Sequence, residues 1–177
     1  PPLGARTCAI GGETMGTTWQ VRWVSSEPLT DDVVRAAVQG ELNLVVAQMS
    51  TWLAGSDLDR FNRAPAGTWH TLPEAFATVL GAAVWMADAS GGAFNPAAGA
   101  LVDLWGFGPS PRYTDPGFEL PERPAVQAAL ARTDWRRLRW DAGSRRAQQP
   151  GGVRLDFSAI AKGHAVDRVA QRLHALG

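Results

Sequence analysis

The only lysine of the chain stands at the start of a helical pattern, in the stretch LDFSAIAKG at 155–163. A helix start leaves backbone N–H groups without partners and carries a partial positive charge, so it attracts anions. Lys162 adds a cation there, which is favourable if a phosphate group binds at the same place. Asp156, just before this start, could accept a hydrogen bond from a ligand. The stretch therefore indicates ligand binding, with Asp156 and Ser158 acting only as helix caps as the open alternative.

The composition makes Lys162 stand out further. The chain has 17 basic residues, and all except Lys162 are arginines. Enrichment in arginine, alanine and glycine is typical of a GC-rich genome, in which arginine replaces lysine wherever either residue serves. Lysine is a compact point charge on a flexible stem, whereas arginine is a planar fork. The single lysine therefore indicates a position at which arginine cannot take its place. The alternative is that this lysine has survived on the surface by chance.

Two glycine-rich stretches and one tryptophan could also contact a ligand. In GGETMGT at 11–17, glycines surround Met15, whose polarizable thioether would suit a flat aromatic ligand; the pattern alone favours a core methionine at a strand entry. In SGGAFNP at 90–96, backbone groups and one aromatic ring are available, with a tight turn as the alternative. Trp52 lies in a segment without regular periodicity, which makes contact with a ligand more plausible.

Composition and charge exclude several classes of protein. With 177 residues, 45% of them hydrophobic and 19% charged, the chain can bury a core and is not a disordered tail. Its 17 basic and 17 acidic residues balance, so no net charge draws it to nucleic acid or anionic lipid. The sequence has no run of about 18 apolar residues to span a membrane. Its single cysteine, Cys8, cannot form an internal disulfide, and the three histidines lack metal-binding spacing.

The hydrophobic patterns predict helices and strands in an irregular order. Helices are expected at 31–49, 56–62, 74–86, 100–105 and 125–132, with a long loop over 106–124. Strands are expected at 18–24 after a glycine-rich turn, and at 68–72, 135–140, 145–148 and 153–157, of which 135–148 forms a hairpin. Ser158 should cap a last helix whose buried side carries Val166, Val169, Ala170 and Leu173. This order predicts an α+β fold rather than a regular βαβ array.

Four stretches together resemble the ApbE family of flavin transferases. They are ETMGT at 13–17, MSTW with SDLDRFN within 49–62, GGAFNPAAGALVDLWGFGP at 91–109 and LDFSAIAKGHAVDRVA at 155–170. Their order and approximate spacing match the family over nearly all of 10–176. The resemblance implies a mixed, largely antiparallel sheet packed with helices, ApbE-like or T-fold-like. A single α+β domain over 1–177 is expected, forming the N-terminal part of such a protein and incomplete without its C-terminal continuation.

The resemblance also implies the ligands and the reaction. Residues expected to contact FAD are Met15, Trp52, Ala93, Phe94, Asn95, Asp156 and Lys162, the last reaching the phosphate region. Ala159 would offer its main-chain carbonyl to Mg²⁺, which offsets charge on the diphosphate. Members of the family cleave FAD, transfer FMN to a threonine hydroxyl in a motif of an acceptor flavoprotein, and release AMP. Neither nucleic acid nor a transmembrane segment enters this prediction.

The sequence departs from the family in two respects. Asn95 stands where many members have aspartate, so a carboxylate is lost, although the amide can still form hydrogen bonds. Family members also continue past the equivalent of residue 177, and that part supplies the side-chain magnesium ligands and a histidine motif, so the catalytic residues are expected there. Two alternatives remain, a non-catalytic FAD-binding module and an FAD pyrophosphatase that yields FMN and AMP. The resemblance implies a periplasmic protein or one at the outer face of the inner membrane, as lipoprotein relatives are; a cytoplasmic location stays open.

Overall fold

The computed structural model describes residues 6–25 and 29–176, which fall into two compact units. The first unit takes its residues from Pro1–Val46 and Lys162–Gly177, and the second from Ala47–Ala161. Helices and antiparallel strands occur in both, so the predicted α+β class is confirmed. In the described part of the chain, no helix combines the length and the apolar character needed to cross a membrane.

A β-hairpin opens the first unit. Strand β1 (Arg6–Thr14) pairs antiparallel with β2 (Thr17–Ser25), and Met15 and Gly16 form the turn with φ angles of 50° and 69°. Two positive φ angles in succession are the signature of the type I′ turn that joins twisted strands. The predicted turn over 11–17 is therefore wrong in its extent, since only two of its residues turn. Gly12 lies in β1 opposite Trp19, and a Cβ atom there would lie 2.8 Å from the Trp19 ring, so the position has room only for glycine.

Helix α1 (Asp31–Met49) has the bounds that its sequence pattern predicts. Its periodic apolar residues are buried as expected, including Val34, Val38, Leu42 and Val45. Helix α6 (Ala161–His174) also contributes to the first unit. An ion pair joins Arg168 to Glu41, with Nε and Nη2 at 2.7 and 2.6 Å from the same oxygen, Glu41 Oε2, so the two helices are held side by side.

The buried face of α6 differs from the predicted one. Ala161, Ala165 and Val169 form the buried row, at the i, i+4 spacing of a single helix face. Val169 was correctly expected to be buried, but Val166 is 67% exposed and Ala170 is exposed. Alanine side chains are small and contribute little to an apolar pattern, so the pattern of larger residues predicted a face that is rotated by about one residue.

The second unit contains short helices and one three-stranded sheet. Its elements are α2 (Asp57–Arg63), β3 (Trp69–Thr71), α3 (Glu74–Ala89), α4 (Gly99–Leu104), α5 (Arg123–Leu130), β4 (Arg139–Asp141) and β5 (Arg146–Gln148). The sheet is antiparallel in the order β3-β5-β4. Each predicted helix and the hairpin are present, with ends displaced by a few residues. The core is a chain of edge-to-face aromatic rings, with centroids 6.4 Å apart for Phe61 and Phe76, and 5.3 Å apart for Phe76 and Phe157.

Two predicted strands are corrected by the structure. Trp135–Arg137 is a 3-10 helix, and β4 begins only at Arg139, because the Asp134 carboxylate accepts a hydrogen bond from the Arg136 N–H and closes a turn. The segment 153–157 is extended but pairs through a single parallel bridge between Ala98 and Arg154. It is buried, as expected, yet it is held by other means than a sheet.

Candidate functional site

The Asn62 side chain forms with the buried segment before α6 the hydrogen bonds that a neighbouring strand would otherwise form. The Asn62 amide donates to the Leu155 carbonyl at 2.9 Å and accepts from the Leu155 N–H at 2.8 Å. On the other side, the Asp156 N–H donates to the Pro96 carbonyl at 2.8 Å. Nearly all backbone groups in a protein interior need a partner, and these contacts supply it without a sheet. Asp156 is therefore held at a defined place.

The turn between Asp156 and α6 differs from the predicted cap. The Asp156 Oδ1 atom accepts from the Ser158 N–H at 2.8 Å. The N–H groups of Ile160 and Ala161 both donate to the Phe157 carbonyl, and α6 starts at Ala161 rather than after Ser158. Ser158 is thus not the helix cap, because three turn residues precede the first helical one. Lys162 lies in the first turn of α6, as expected.

Asp156 belongs to a group of three charged side chains. Arg154 Nε lies 2.8 Å from Asp103 Oδ2, at the end of α4. Burial raises the pKa of the Asp103 carboxyl, the charge of Arg154 opposes this rise, and the negative charge of Asp156 adds to it. The Asp103 carboxyl thus has one opposite charge in contact and one like charge in its surroundings.

The stretch 90–98 is a compact turn that exposes small residues. Gly91 and Gly92 adopt φ angles of 61° and 90°, which glycine tolerates without strain. The Ser90 Oγ atom accepts from the Phe94 N–H at 3.0 Å. Ala93 is exposed and Phe94 is half-buried, so both remain available for contact with a ligand, as the resemblance implies.

Both ends of the Asn95 amide are engaged inside the protein. Its Oδ1 atom accepts from the Ala97 N–H at 2.8 Å, and its Nδ2 atom donates to the Thr133 carbonyl at 2.8 Å. This bond requires a donor at position 95, since a carboxylate cannot donate to a carbonyl. The Asn95 side chain therefore mainly stabilises the turn.

Trp52 lies on a tightly bonded loop between α1 and α2. The Ser50 Oγ atom accepts from the N–H groups of Trp52 and Leu53, both at 3.1 Å. Buried Ser56 donates to the Ser50 carbonyl at 2.6 Å. Although its backbone is fixed, the Trp52 side chain is 54% exposed. A fixed aromatic ring open to solvent is suited to stack on a planar ligand.

Met15 and Lys162 line the same cavity in the first unit. It has a volume of about 760 Å³ and is bounded by β2, α1 and α6. Trp19 and Trp23 also line it, and their buried indole N–H groups have no partner among the residues that the structure describes. Burial lowers the pKa of His164 in α6, and the charge of Arg168 lowers it further, against a smaller opposite effect of Asp167. His164 is therefore held mainly neutral near pH 7.

The described residues do not by themselves fit a magnesium ion. Such an ion takes six oxygen ligands, usually including carboxylates, and no group of three or more histidine, cysteine, aspartate or glutamate side chains gathers within 6–25 and 29–176. Ala159 is exposed in the turn before α6 and could offer one carbonyl oxygen. A metal site here would need ligands from elsewhere.

The residues expected to contact FAD thus fall in both units. Met15 and Lys162 share the cavity of the first unit, and the second unit contains Trp52, Ala93, Phe94, Asn95 and Asp156. The sequence motifs contained one important residue whose role was missed, Asn62, which orders the Asp156 segment. An asparagine at the end of a short amphipathic helix is the signal that could have indicated it, because an amide that is not exposed there needs two partners.

The chain is similar in sequence to proteins of one family over nearly its whole length. The model of the ApbE family matches residues 15–177. The chain is 32% identical to the FAD:protein FMN transferase of Haemophilus influenzae, covering 97% of this chain and 50% of that protein. It is 33% identical to the protein of the same name from Vibrio cholerae serotype O1, covering 95% and 49%. The chain spans about half the length of the curated relatives it matches.

Solved structures show the same similarity. The apo crystal structure of Pseudomonas stutzeri flavinyl transferase ApbE aligns with a TM-score of 0.87 and 34% identity, over 100% of this chain and 56% of that one. The Vibrio cholerae flavin transferase ApbE aligns with a TM-score of 0.88 and 29% identity, over 97% and 54%. The expected ApbE-like fold is therefore confirmed for the part of the family fold that this chain contains.

Proposed function

The chain belongs to the ApbE family, and we propose on this premise that it is part of an enzyme that transfers FMN from FAD to another protein. The observation that carries the proposal is the match of the family model over residues 15–177. Relatives named FAD:protein FMN transferase support it at 32–33% identity. The proposed reaction breaks the diphosphate of FAD. A threonine hydroxyl of the acceptor forms a phosphoester with FMN, and AMP leaves with the former bridging oxygen.

The first unit would serve the phosphate side of FAD. Lys162 lies in the first turn of α6, a helix of 14 residues. The N–H groups and the dipole at such a start favour negative charge, and a lysine there adds a full positive charge. Phosphoryl transfer depends on cations directed at the oxygens on which charge develops. Lys162 would bind and orient the diphosphate in this way, and Met15 would pack against FAD from the same cavity.

The second unit would supply the hydrogen bonds and the ring contacts. Asp156 would accept from an N–H or O–H group of FAD, and the bonds from Asn62 to Leu155 would hold it at the required place. The Trp52 ring would pack against the flavin. Ala93 and Phe94 would contact FAD from the turn that Asn95 braces. A ligand-binding carboxylate on a fixed backbone loses little conformational entropy when the ligand binds.

Magnesium, the acceptor and the location belong to the proposal as well. We infer that Mg²⁺ would neutralise charge on the diphosphate, with the Ala159 carbonyl as one ligand and the remaining ligands outside 1–177. The base that takes the threonine proton would also lie outside this range. The acceptor would be a flavoprotein with an exposed threonine in a recognition motif. The location would be the periplasm or the outer face of the inner membrane, as the resemblance to the family implies.

The proposal is tested with the full-length protein, FAD, Mg²⁺ and an acceptor domain. We expect flavin fluorescence to stay with the acceptor after denaturing electrophoresis, and to be absent from an acceptor whose threonine is replaced by valine. Free FMN with no labelled acceptor would indicate a pyrophosphatase instead. FAD binding without any AMP would indicate a non-catalytic binding module.

A further inference from the structure

Three arginines converge on one cavity in the second unit, and none of the residues that line it is among those assigned to FAD. We name it the arginine cavity. It has a volume of about 570 Å³ and is lined by Gly67, Arg136, Arg137, Arg139, Gln148 and Pro150. All three arginines are exposed. The net charge of zero conceals this local excess of positive charge.

Two of the three guanidinium groups are held in place by uncharged partners. The Arg136 guanidinium lies 3.9 Å from the centroid of the Trp135 ring, within the range of a cation–π contact. That ring is a fixed platform, because Trp135 is buried and its Nε1 atom donates to Asp88 at 2.9 Å. The Arg137 Nη2 atom donates to the carbonyls of Pro150 and Gly151 at 3.3 and 3.2 Å. Both guanidinium groups are thus oriented without an ion pair to any residue in the described part of the chain.

The third arginine and a glutamine complete the wall. Arg139 pairs with Gln148 across β4 and β5, and the side chains of directly opposed residues lie on the same face of a sheet. The Gln148 Nε2 atom donates to the Gly67 carbonyl at 2.9 Å. This bond fixes the amide and leaves its neighbour Arg139 directed to the same face of the sheet.

The aspartates nearest in sequence to the three arginines form hydrogen bonds with other groups. Asp134 accepts from the Arg136 backbone N–H. Asp141 accepts from the Ser144 hydroxyl and the Gly143 N–H, which hold the pKa of its carboxyl below the usual range. Within 6–25 and 29–176, none of the three cavity arginines forms an ion pair. Guanidinium groups gathered on one surface repel each other, weakly in water, and an anion bound between them would relieve this repulsion.

We propose that the arginine cavity binds a phosphate group, carried by a small molecule or by a lipid headgroup. Guanidinium groups present parallel N–H donors that match the oxygens of a phosphate, and each pair of donors can bind bidentately. A phosphate monoester carries nearly two negative charges at pH 7, which three arginines neutralise. The volume is in the range of small-molecule sites. This site is independent of the proposed FMN transfer.

The test uses the full-length protein and four probes at low ionic strength. Binding of inorganic phosphate and of pyrophosphate is measured by calorimetry. Vesicles of phosphatidylcholine with phosphatidylglycerol are compared by sedimentation with phosphatidylcholine vesicles whose equal negative charge comes from oleic acid. A glutamate-rich peptide represents an acidic protein partner. Arg136→Gln and Arg139→Gln remove one cavity charge each, and Arg145→Gln removes a charge from the same hairpin outside the cavity. Circular dichroism checks that each variant is folded.

We expect saturable binding of phosphate, pyrophosphate or phosphatidylglycerol vesicles, weakened about tenfold or more by either cavity variant. Arg145→Gln should change it less than about threefold, because exposed charges at a distance are screened. Binding of the free anions would identify a small molecule, and binding confined to phosphatidylglycerol vesicles would identify a lipid headgroup. Binding of none of these, of both vesicle types equally, or of the peptide alone would overturn the proposal. So would an equal loss in Arg145→Gln. FAD affinity, measured in parallel, should not change, so a failed flavin transfer is distinguishable from a failed phosphate site.

Discussion

The Arg112 guanidinium lies over the ring of Trp52, 5.4 Å from its centroid. Arg112 comes from the long loop after α4, and its place there is fixed by its neighbours. Its N–H donates to Asp115 Oδ2 at 2.7 Å, and the Asp115 N–H donates to the Arg112 carbonyl at 2.9 Å. Because the arginine covers one face of the indole, the opposite face is the one open to a planar ligand.

Loss of this cation should weaken flavin binding if Trp52 stacks on FAD as proposed. Arg112→Ala should raise the KM for FAD about two- to fivefold with little change in kcat, since a cation–π contact at an exposed site contributes about 0.5–1 kcal/mol. Arg112→Lys should restore part of the effect. The measurement is steady-state kinetics of the full-length enzyme, with quenching of flavin fluorescence as the sign of ring stacking. Arg123→Ala, an exposed arginine in α5, is the control, and an equal loss there would contradict this role.

Lys162 should not tolerate exchange for arginine. We expect Lys162→Arg to lower kcat/KM for FAD about tenfold or more, because a planar fork cannot replace a compact ammonium group beside a crowded diphosphate. Arg172→Lys, in the last turn of the same helix, is the matched reverse exchange and should be neutral. Wild-type kinetics in Lys162→Arg would mean that the lysine merely survives on the surface.

Asn95 should resist replacement by the aspartate that many family members carry. In Asn95→Asp the second carboxylate oxygen would face the Thr133 carbonyl that now receives a hydrogen bond. We expect a loss of about 1–3 kcal/mol in the free energy of unfolding, measured with urea. Asn43→Asp makes the same change on an exposed face of α1, where the oxygen accepting from Gln39 is retained, and should cost less than about 0.5 kcal/mol. Equal effects would show that the Thr133 contact is unimportant.

The sequence pattern predicted most of the fold because most elements are defined locally. Helix α1 is an example, since its apolar period and its acidic first turn both lie within 31–49. The segment 153–157 could not be read in the same way. Its apolar residues are typical of a buried strand, but its backbone partners are a distant amide, that of Asn62, and the Pro96 carbonyl.

The residues of the candidate site remain a prediction from the motifs, whereas the bonds that hold them are seen only in the structure. The motifs indicate Asp156 and Lys162 by residue type and position. They do not indicate that the Asn95 amide forms hydrogen bonds with Ala97 and Thr133, because Thr133 is 38 residues away in sequence. The arginine cavity could not be predicted from the sequence, since spacing in sequence does not tell whether an arginine has a counter-charge.

The stability of the protein should fall as the pH drops below about 6.5, with His164 as one cause. Burial lowers the pKa of His164 in the folded state, so in this pH range the unfolded chain binds more protons than the folded one. Stability from the neutral imidazole is therefore complete above the unfolded value and is lost as the pH falls through the folded one. Urea unfolding across pH 5–8 should show a smaller slope in His164→Gln.

His174 provides the control for this pH dependence. It lies at the end of the same helix and is exposed, so His174→Gln should leave the slope unchanged. Carboxyl groups with lowered pKa values, such as Asp59, titrate at lower pH and do not overlap with this range. An unchanged slope in His164→Gln would show that burial of this imidazole does not affect stability.

In the proposed reaction, FMN moves as a unit from FAD to an acceptor. The most direct measurement is the intact mass of the acceptor after reaction with the full-length protein, together with the amount of AMP released. We predict a mass increase of one FMN less one water on the acceptor threonine, with one AMP per labelled acceptor. AMP and free FMN with an acceptor of unchanged mass, under conditions in which a relative named FAD:protein FMN transferase labels it, would contradict the claim.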